Sequence, residues 1–483
     1  MIHQKISEMK PNILFLVLDG FRADKFYGEN KTSTTPFLEN LIKKGTYFEQ
    51  CISSAPCTVP SVASTITSLY PFECVVQDEN VFTINQKLDN YISILKEFGY
   101  NTYATYQEVI YFLGLDKIYD HTETYPVSSK LWNGLGEQII EKLHNKMKEP
   151  WFYYLHLYDL HLLSFPKEYR LKNGPKEIID EKYGINQYDR LISAMDPWLK
   201  KILEKIDLQK TILIITSDHG TEVASYSGDL EDFNDQNIES RLHEPGKVFK
   251  IAQKMSKTLP KNMFPGKKKL AQLYTNRNRS QVKKKMIPKL DDIDDEISPY
   301  EKRLRRASVW GDAFVYDERF RIPLLILGPK VPAKKITQQV RSIDIFPTIF
   351  EIAGLNKKPL GHGKSLLPLI EDNAYDELPA FLEGAANAPK FVNKNIIGIR
   401  TSDFKYFRDK YDSTIKVHLY DLKNDPLEEN NIAENNHSTV EKMEKLLTKL
   451  QNDHGFDYKK SEQILDIDEE KKIEEELRKL GYI

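Results

Sequence analysis

Three short stretches carry side chains that suit chemistry on an anionic ester. Asp19 stands directly before Gly20, at the end of an apolar run. Asp218-His219-Gly220 closes a second apolar run. Between them lies Ala55-Pro-Cys57-Thr58-Val-Pro60-Ser61-Val-Ala-Ser64-Thr65, rich in small and hydroxyl residues. The non-bridging oxygens of a phosphoryl or sulfuryl group repel a nucleophile. A cation that binds those oxygens and lowers the nucleophile's pKa removes the obstacle. Carboxylate and imidazole together suit Zn²⁺, Mn²⁺ or a similar ion. Asp19, Asp218 and His219 are therefore candidate metal ligands, and Gly220 lets the backbone turn tightly behind them. Pro60 and Ser61 open a predicted helix whose N-terminus favours an anion. Thr58 lies just ahead of it, where a metal-bound hydroxyl becomes a nucleophile. The bland alternatives are a helix-capping Asp at 19, a polar turn at 218–220 and a plain capping segment around Thr58.

These residues need a rigid platform. Asn12 to Asp19, Phe152 to Asp159 and Thr211 to Gly220 are apolar runs ending in Asp or Asp-His. They read as strands buried on both faces of a parallel sheet. Ile322 to Pro329 is a fourth such run, without an acid at its end. Helical patterns fall between them, at Thr35 to Lys44 and Met195 to Lys205. Strands alternating with helices predict an α/β fold: a large, mostly parallel central sheet flanked by helices. Ligands of such sheets bind beyond the carboxyl ends of the strands. The pattern predicts a catalytic domain over 10–370, broken at 222–308 by an insertion that is first basic and then acidic. That insertion is either a solvated excursion or a lid or docking surface for an anionic substrate. Residues 371–483 form a predicted smaller α+β subdomain. Ile396 to Arg400 and Val417 to Tyr420 read as strands of an antiparallel sheet, and the chain from His437 onward is charged and helical in pattern.

Composition narrows the partners. A formal net charge of −2 over 483 residues provides no field that recruits nucleic acid or a membrane. No apolar run approaches the ~18 residues of a membrane span. Three cysteines, an odd and sparse set, argue against a disulfide framework and for a reducing, cytoplasmic setting. Nothing in the sequence fixes the oligomeric state, so a homo-oligomer stays open.

Several motifs in order resemble the sulfatase family of the alkaline-phosphatase superfamily. They are Asn12 to Asp19, Thr35 to Leu41, Phe48 to Pro71, Leu155-His-Leu-Tyr-Asp-Leu-His161, Thr216 to Gly220, Tyr316 to Pro323, Ser342 to Thr348, Gly363 to Pro368 and Tyr420 to Pro426. The resemblance spans about residues 10 to 435. It implies a metal-dependent hydrolase of phosphate or sulfate esters working through a covalent intermediate on Thr58. It implies one divalent ion (Mn, Zn, Mg or Ca) held by Asp19, Thr58, Asp218 and His219. Asp159 and His243 are expected ligands of a second ion, and His161 is expected either there or as the acid for the leaving group. Lys405 matches a motif near the cleft, His362 a structural turn. Tyr103, Thr105 and Tyr106 are expected near the pocket.

The departures from the family pattern are informative. Type I sulfatases convert a cysteine of Cys-x-Pro-Ser/Ala-Arg to formylglycine. Counting back from Pro60, that position is Thr58; Cys57 is one residue early, and Val62 stands in place of the Arg. Gly20 replaces a second Asp, and Asp312 stands about where relatives place a His. Threonine at 58 resembles the phosphatase, phosphodiesterase and phosphotransferase branches, which favours a phosphate-type substrate over sulfate. The expected substrate is a small anionic ester or a glycan-linked one. Rival readings are a sulfuric ester hydrolase, a transferase passing a phospho-alcohol group to a glycan, and a non-catalytic binding protein keeping the fold.

Overall fold

The computed structural model describes residues 10–29, 31–78, 81–108, 110, 114–145, 147–165, 167–221, 297–310, 315–384 and 395–455. Its strands in chain order are β1 (Asn12–Leu18), β2 (Thr46–Ile52), β3 (Val75–Asp78), β4 (Val81–Ile84), β5 (Asn101–Gln107), β6 (His121–Tyr125), β7 (Trp151–Leu157), β8 (Thr211–Thr216), β9 (Arg321–Leu327), β10 (Lys334–Ile336), β11 (Val340–Arg341), β12 (Ala380–Glu383), β13 (Ile396–Arg400), β14 (Phe404–Asp409) and β15 (His418–Asp421).

Among the described residues, nine strands form one sheet in the order β10-β2-β9-β8-β1-β7-β5-β6, with β11 also paired to β2. β1 runs parallel to β7 and β8. β9 is antiparallel to both β8 and β2, so it alone runs against the rest. Side-chain alternation explains why these strands are apolar throughout. Ile13, Phe15 and Val17 enter one core, together with Phe152, Tyr154, Ile212 and Ile214. Leu14, Leu16 and Leu18 enter the other, with Tyr153, Leu155, Leu213 and Ile215. Both faces of the sheet are covered, and a period of two serves two cores at once.

Helices complete the layers. The helix Thr58–Thr67 lays Val62, Ala63 and Ile66 on the first core. The helix Gln187–Leu203 lays Tyr188, Leu191, Ile192, Met195, Leu199 and Ile202 on the second, at the spacing of one helical face. It begins eight residues before the expected Met195. The Asn186 side chain accepts the Asp189 N–H and caps it, a start signal that the apolar pattern alone conceals.

The C-terminal sheet has the order β12-β13-β14-β15 and is antiparallel throughout. Phe381, Ile397, Ile399, Tyr406 and Leu419 face the helix His437–Asp453. Ala380, Leu382, Ile396, Phe407 and Tyr420 face Ile52, Val315 and Phe320 of the large domain. Of the expected insertion, 222–296 lies outside the described residues, with its basic and acidic runs. Its last part is a helix, Pro299–Trp310, pinned to the body. Arg303 donates to Glu318 at 2.8 Å and to the Glu428 carbonyl at 2.8 Å. No helix among the described residues is long and apolar enough to cross a membrane.

Candidate active site

The strand ends deliver the acids to one edge. β1 ends at Leu18 and presents Asp19; β8 ends at Thr216 and presents Asp218 and His219. Ligand atoms of Asp19, Asp218 and His219 all lie within 4.8 Å of one another, and all three residues are buried. Two glycines make this possible. Gly20 has φ +68°, which glycine adopts without penalty, and its N–H points to Asp218 Oδ1 at 3.3 Å. At Gly220 a Cβ would sit 2.1 Å from the Glu318 carbonyl oxygen. The Gly220 N–H donates instead to the Arg319 carbonyl at 2.8 Å, clamping the Asp218-His219 segment to the 317–320 turn. Ser217 Oγ donates to the Leu18 carbonyl at 2.6 Å and locks the ends of β1 and β8 together.

Thr58 is the first residue of its helix. Cys57 precedes it with extended backbone and no side-chain cap, which leaves the first-turn N–H groups for an anion. The Thr58 Oγ1 lies 3.4 Å from both Asp19 Oδ2 and His219 Nε2. Ser53 Oγ donates to the Asp218 carbonyl at 2.8 Å, and Ser61 Oγ to the Ala55 carbonyl at 2.8 Å, so the turn before Thr58 is stitched to the metal segment. Arg319 donates to the Pro56 carbonyl from the other side. Burial pushes the Cys57 thiol up to about 12, against the pull of Arg319, so it stays protonated and non-nucleophilic.

Three imidazoles surround the carboxylates. His161 Nε2 lies 2.7 Å from Asp19 Oδ1, and its ring stacks on Tyr158 at 3.8 Å. His156 Nε2 lies 3.0 Å from Asp19 Oδ2, and its Nδ1 lies 2.8 Å from the Tyr154 hydroxyl. Burial would raise the Asp19 carboxyl, but the His161 charge and the hydrogen bonds from His156 and His161 hold it well below the usual carboxylate range. His219 Nδ1 lies 2.7 Å from the Gly220 carbonyl, which can only accept. The proton is therefore on Nδ1, and a neutral His219 turns a bare Nε2 lone pair toward Asp19 and Asp218. Two buried carboxylates and a lone pair facing one another repel unless a cation or proton joins them. Asp218 Oδ2 is buried without a hydrogen-bond partner among the described residues. This donor set fits a divalent ion.

His156 escaped the sequence reading. Its signal was a single polar residue inside an otherwise apolar strand. Asp159, expected at a second ion, does not join the cluster. Its Oδ1 accepts the Leu131 N–H at 2.8 Å, and burial raises its carboxyl to about 6, with Lys130 pulling it down. His243 and Asp312 lie outside the described residues. Lys405 is fully buried at the junction with the C-terminal sheet, paired with Asp317 and Glu428. His362 bonds Glu73 at 2.8 Å, away from the carboxylates. Tyr106 packs in the first core, Tyr103 in the second, and Thr105 accepts from Tyr153 and Lys142; none of them reaches Asp19.

A doubly covered α/β sheet with carboxylates, imidazoles and a helix-start hydroxyl at one carboxyl edge defines an ester hydrolase built around a metal-ligand cluster. The chain belongs to the sulfatase family. The Sulfatase family profile matches residues 11–355, and the profile described as N-sulphoglucosamine sulphohydrolase, C-terminal, matches 308–453. Arylsulfatase K of Gallus gallus is 22% identical over 484 residues, covering 92% of this chain and 83% of that protein. Choline-sulfatase of Rhizobium meliloti (strain 1021) is 23% identical over 473 residues, covering 89% and 84%. Two solved structures share the fold. BT4656, solved with its substrate D-glucosamine-2-N,6-O-disulfate, has a TM-score of 0.62 at 16% identity and covers 94% of this chain and all of its own. The phosphonate monoester hydrolase of Agrobacterium radiobacter has a TM-score of 0.58 at 15% identity, covering 92% and 96%.

Proposed function

We propose that this sulfatase-family enzyme hydrolyses the ester of a tetrahedral oxyanion with Thr58 as its nucleophile. One observation carries the reading: the Thr58 oxygen sits 3.4 Å from Asp19 Oδ2 and from His219 Nε2, at the start of a helix. A divalent ion held by Asp19, Asp218 and His219 supplies charge neutralisation and a lowered hydroxyl pKa when bound. The chain's own groups do the rest. The helix start orients the anion's oxygens. Asp19 Oδ2, 3.4 Å from Thr58 Oγ1, is the carboxylate oxygen placed to take the Thr58 proton as the hydroxyl attacks. Thr58 Oγ1 forms the new bond to sulfur or phosphorus as the bond to the alcohol oxygen breaks. His161, 29% exposed in its side chain, is the group placed to protonate the departing alcohol. Water then cleaves the Thr58 ester and releases the inorganic anion.

Between the two anions, the relatives weigh for sulfate. Arylsulfatase K and choline-sulfatase span most of this chain, and the structural relatives include a 2-O GAG sulfatase. A sulfated alcohol or glycan is thus the first substrate class. The second reading, a phosphate or phosphonate ester, rests on Thr58 itself. Threonine stands where the family pattern has the cysteine that is converted to formylglycine, and a covalent ester on a plain hydroxyl is freed by water. The test is a panel of nitrophenyl sulfate, phosphate, phosphodiester and phosphonate esters with Mn²⁺, Zn²⁺, Mg²⁺ and Ca²⁺. Turnover is expected for at least one ester, with a sulfuryl or phosphoryl mass shift trapped on Thr58. Activity that survives in Thr58→Ala sinks the nucleophile assignment, and turnover of phosphorus esters alone moves the second reading to first place.

A further inference from the structure

Beside the reacting groups lies a buried pair that the mechanism above does not use. Lys130 follows the end of β6, and Asp159 follows the end of β7, both at the edge that carries Asp19. Lys130 is 2% exposed and Asp159 1%. The Lys130 ammonium makes one hydrogen bond among the described residues, to the Val127 carbonyl at 2.6 Å. An ammonium has three N–H donors, so two remain unused. Asp159 Oδ1 accepts the Leu131 N–H, while its Oδ2 is buried with no partner among the described residues. The two charges feel each other's field, but among the described residues they close no ion pair. Burial lowers Lys130, opposed by the charge of Asp159 and then by that of Asp19.

The surroundings fix the pair next to the leaving-group side. The Lys130 ammonium sits over the Tyr158 ring, 5.7 Å from its centroid. The His161 ring stacks on the same Tyr158 at 3.8 Å, and His161 Nε2 lies 2.7 Å from Asp19 Oδ1. Tyr125 donates to the His156 carbonyl at 2.6 Å and accepts the Tyr158 N–H at 3.1 Å, which joins the ends of β6 and β7 rigidly. An open donor and an open acceptor, both desolvated, cost stability unless something completes them.

We propose that Lys130 and Asp159 form a subsite for a second hydroxyl of the substrate alcohol, Lys130 donating to its oxygen and Asp159 Oδ2 accepting its proton. A hydroxyl is the group that donates and accepts at once, so it bridges the pair where an aryl or simple alkyl group does not. The substrate class is then an ester of a polyol or sugar. This inference rests on the proposed ester hydrolysis, with His161 facing the leaving group. Sites built to hydrogen-bond a hydroxyl reject analogues lacking it strongly, because the buried partners are left open.

The experiment compares a hexose 6-sulfate with nitrophenyl sulfate, or the corresponding phosphates if the ester panel selects them. In Lys130→Met and in Asp159→Asn, the ratio of kcat/KM for the hexose ester to that for the nitrophenyl ester is expected to fall roughly 10- to 100-fold. Asp159→Asn keeps an acceptor for the Leu131 N–H and carries the test if Lys130→Met melts early. In a Thr58→Ala background, expected to bind without turnover, each substitution should weaken binding of the hexose ester and leave the Kd of methyl sulfate unchanged. A ratio unchanged in both variants, or an equal fall for both esters, overturns the subsite. If the wild type cleaves no ester, the function above fails, while the Kd contrast between hexose sulfate and methyl sulfate still judges the pair.

Discussion

Two buried charge clusters in this protein are built on opposite principles. At the catalytic edge, Asp19 and Asp218 face each other with His219, and Asp218 Oδ2 has no partner among the described residues. At the junction with the C-terminal sheet, charges close on one another. Asp317 receives Arg400 at 2.8 Å and Lys405, Lys405 reaches Glu428 at 2.8 Å, and Arg303 binds Glu318 at 2.8 Å. Glu428 also accepts the Asp317 N–H at 2.7 Å. The junction spends its charges on holding two sheets together. The catalytic edge holds acceptors open at a cost in stability, which marks a place for a ligand.

The contrast can be broken at either end. The largest effect belongs to Thr58→Ala, expected to lower kcat by about 10⁴-fold, roughly 5 kcal/mol, with melting unchanged. Steady-state rates beside calorimetry check this, and an equal loss of folding would make Thr58 structural. Next is Lys405→Met at the junction. It strands Asp317 and Glu428 and should destabilise by about 3–5 kcal/mol in urea titration. Activity per folded molecule at low temperature should hold, because Arg400 still grips Asp317, and a selective loss of activity would erase the distinction between the clusters.

Divalent ion binding to the folded state should stabilise the wild type by about 3 kcal/mol at a hundredfold excess over Kd. Chelation should reverse the gain, and Asp218→Asn should abolish it. An equal gain in that variant would place the ion elsewhere. A smaller effect concerns pH. Burial, with Asp317 adding to it and Lys405 opposing, raises Glu428 from 4.5 to about 7. The folded state then binds more protons than the unfolded chain between those values, so this group's contribution is present below about 4.5 and is lost as pH rises to about 7. The size is on the order of 3 kcal/mol, and Glu428→Gln should flatten that slope in unfolding curves. Smallest of all is the exposed pair Lys445–Glu441, where Lys445→Ala should leave the urea midpoint unchanged.

The strand ends were legible in sequence because chemistry and burial coincide there. An apolar run followed by Asp is a strand that must stop where water or a ligand begins. β1, β7 and β8 read this way, and the structure places them within a residue or two of expectation, apart from the Asp-His-Gly tail of β8. The run at Ile322 to Pro329 lacked a terminal acid for a reason visible only in three dimensions. β9 is antiparallel, so its carboxyl end lies at the opposite edge. His156 was missed because a histidine on a buried strand face carries no local mark of the carboxylate it meets 137 residues away. Asp159 was drawn to the metal by its strand-end position, but the Leu131 N–H claims one oxygen, a contact set by the β6 loop rather than by β7. Lys130 carried no pattern at all, since its neighbours are loop residues.

The turn Asp317–Phe320 has two masters. Its Arg319 carbonyl holds the Gly220 N–H, and its Asp317 carboxylate is gripped by Arg400 and Lys405 from the far sheet. Shortening the gene to the large domain would strip away that grip and slacken the peptide on which His219 stands. The smaller sheet therefore works as a brace for the catalytic edge, and a minimal enzyme carved from this protein has to retain it.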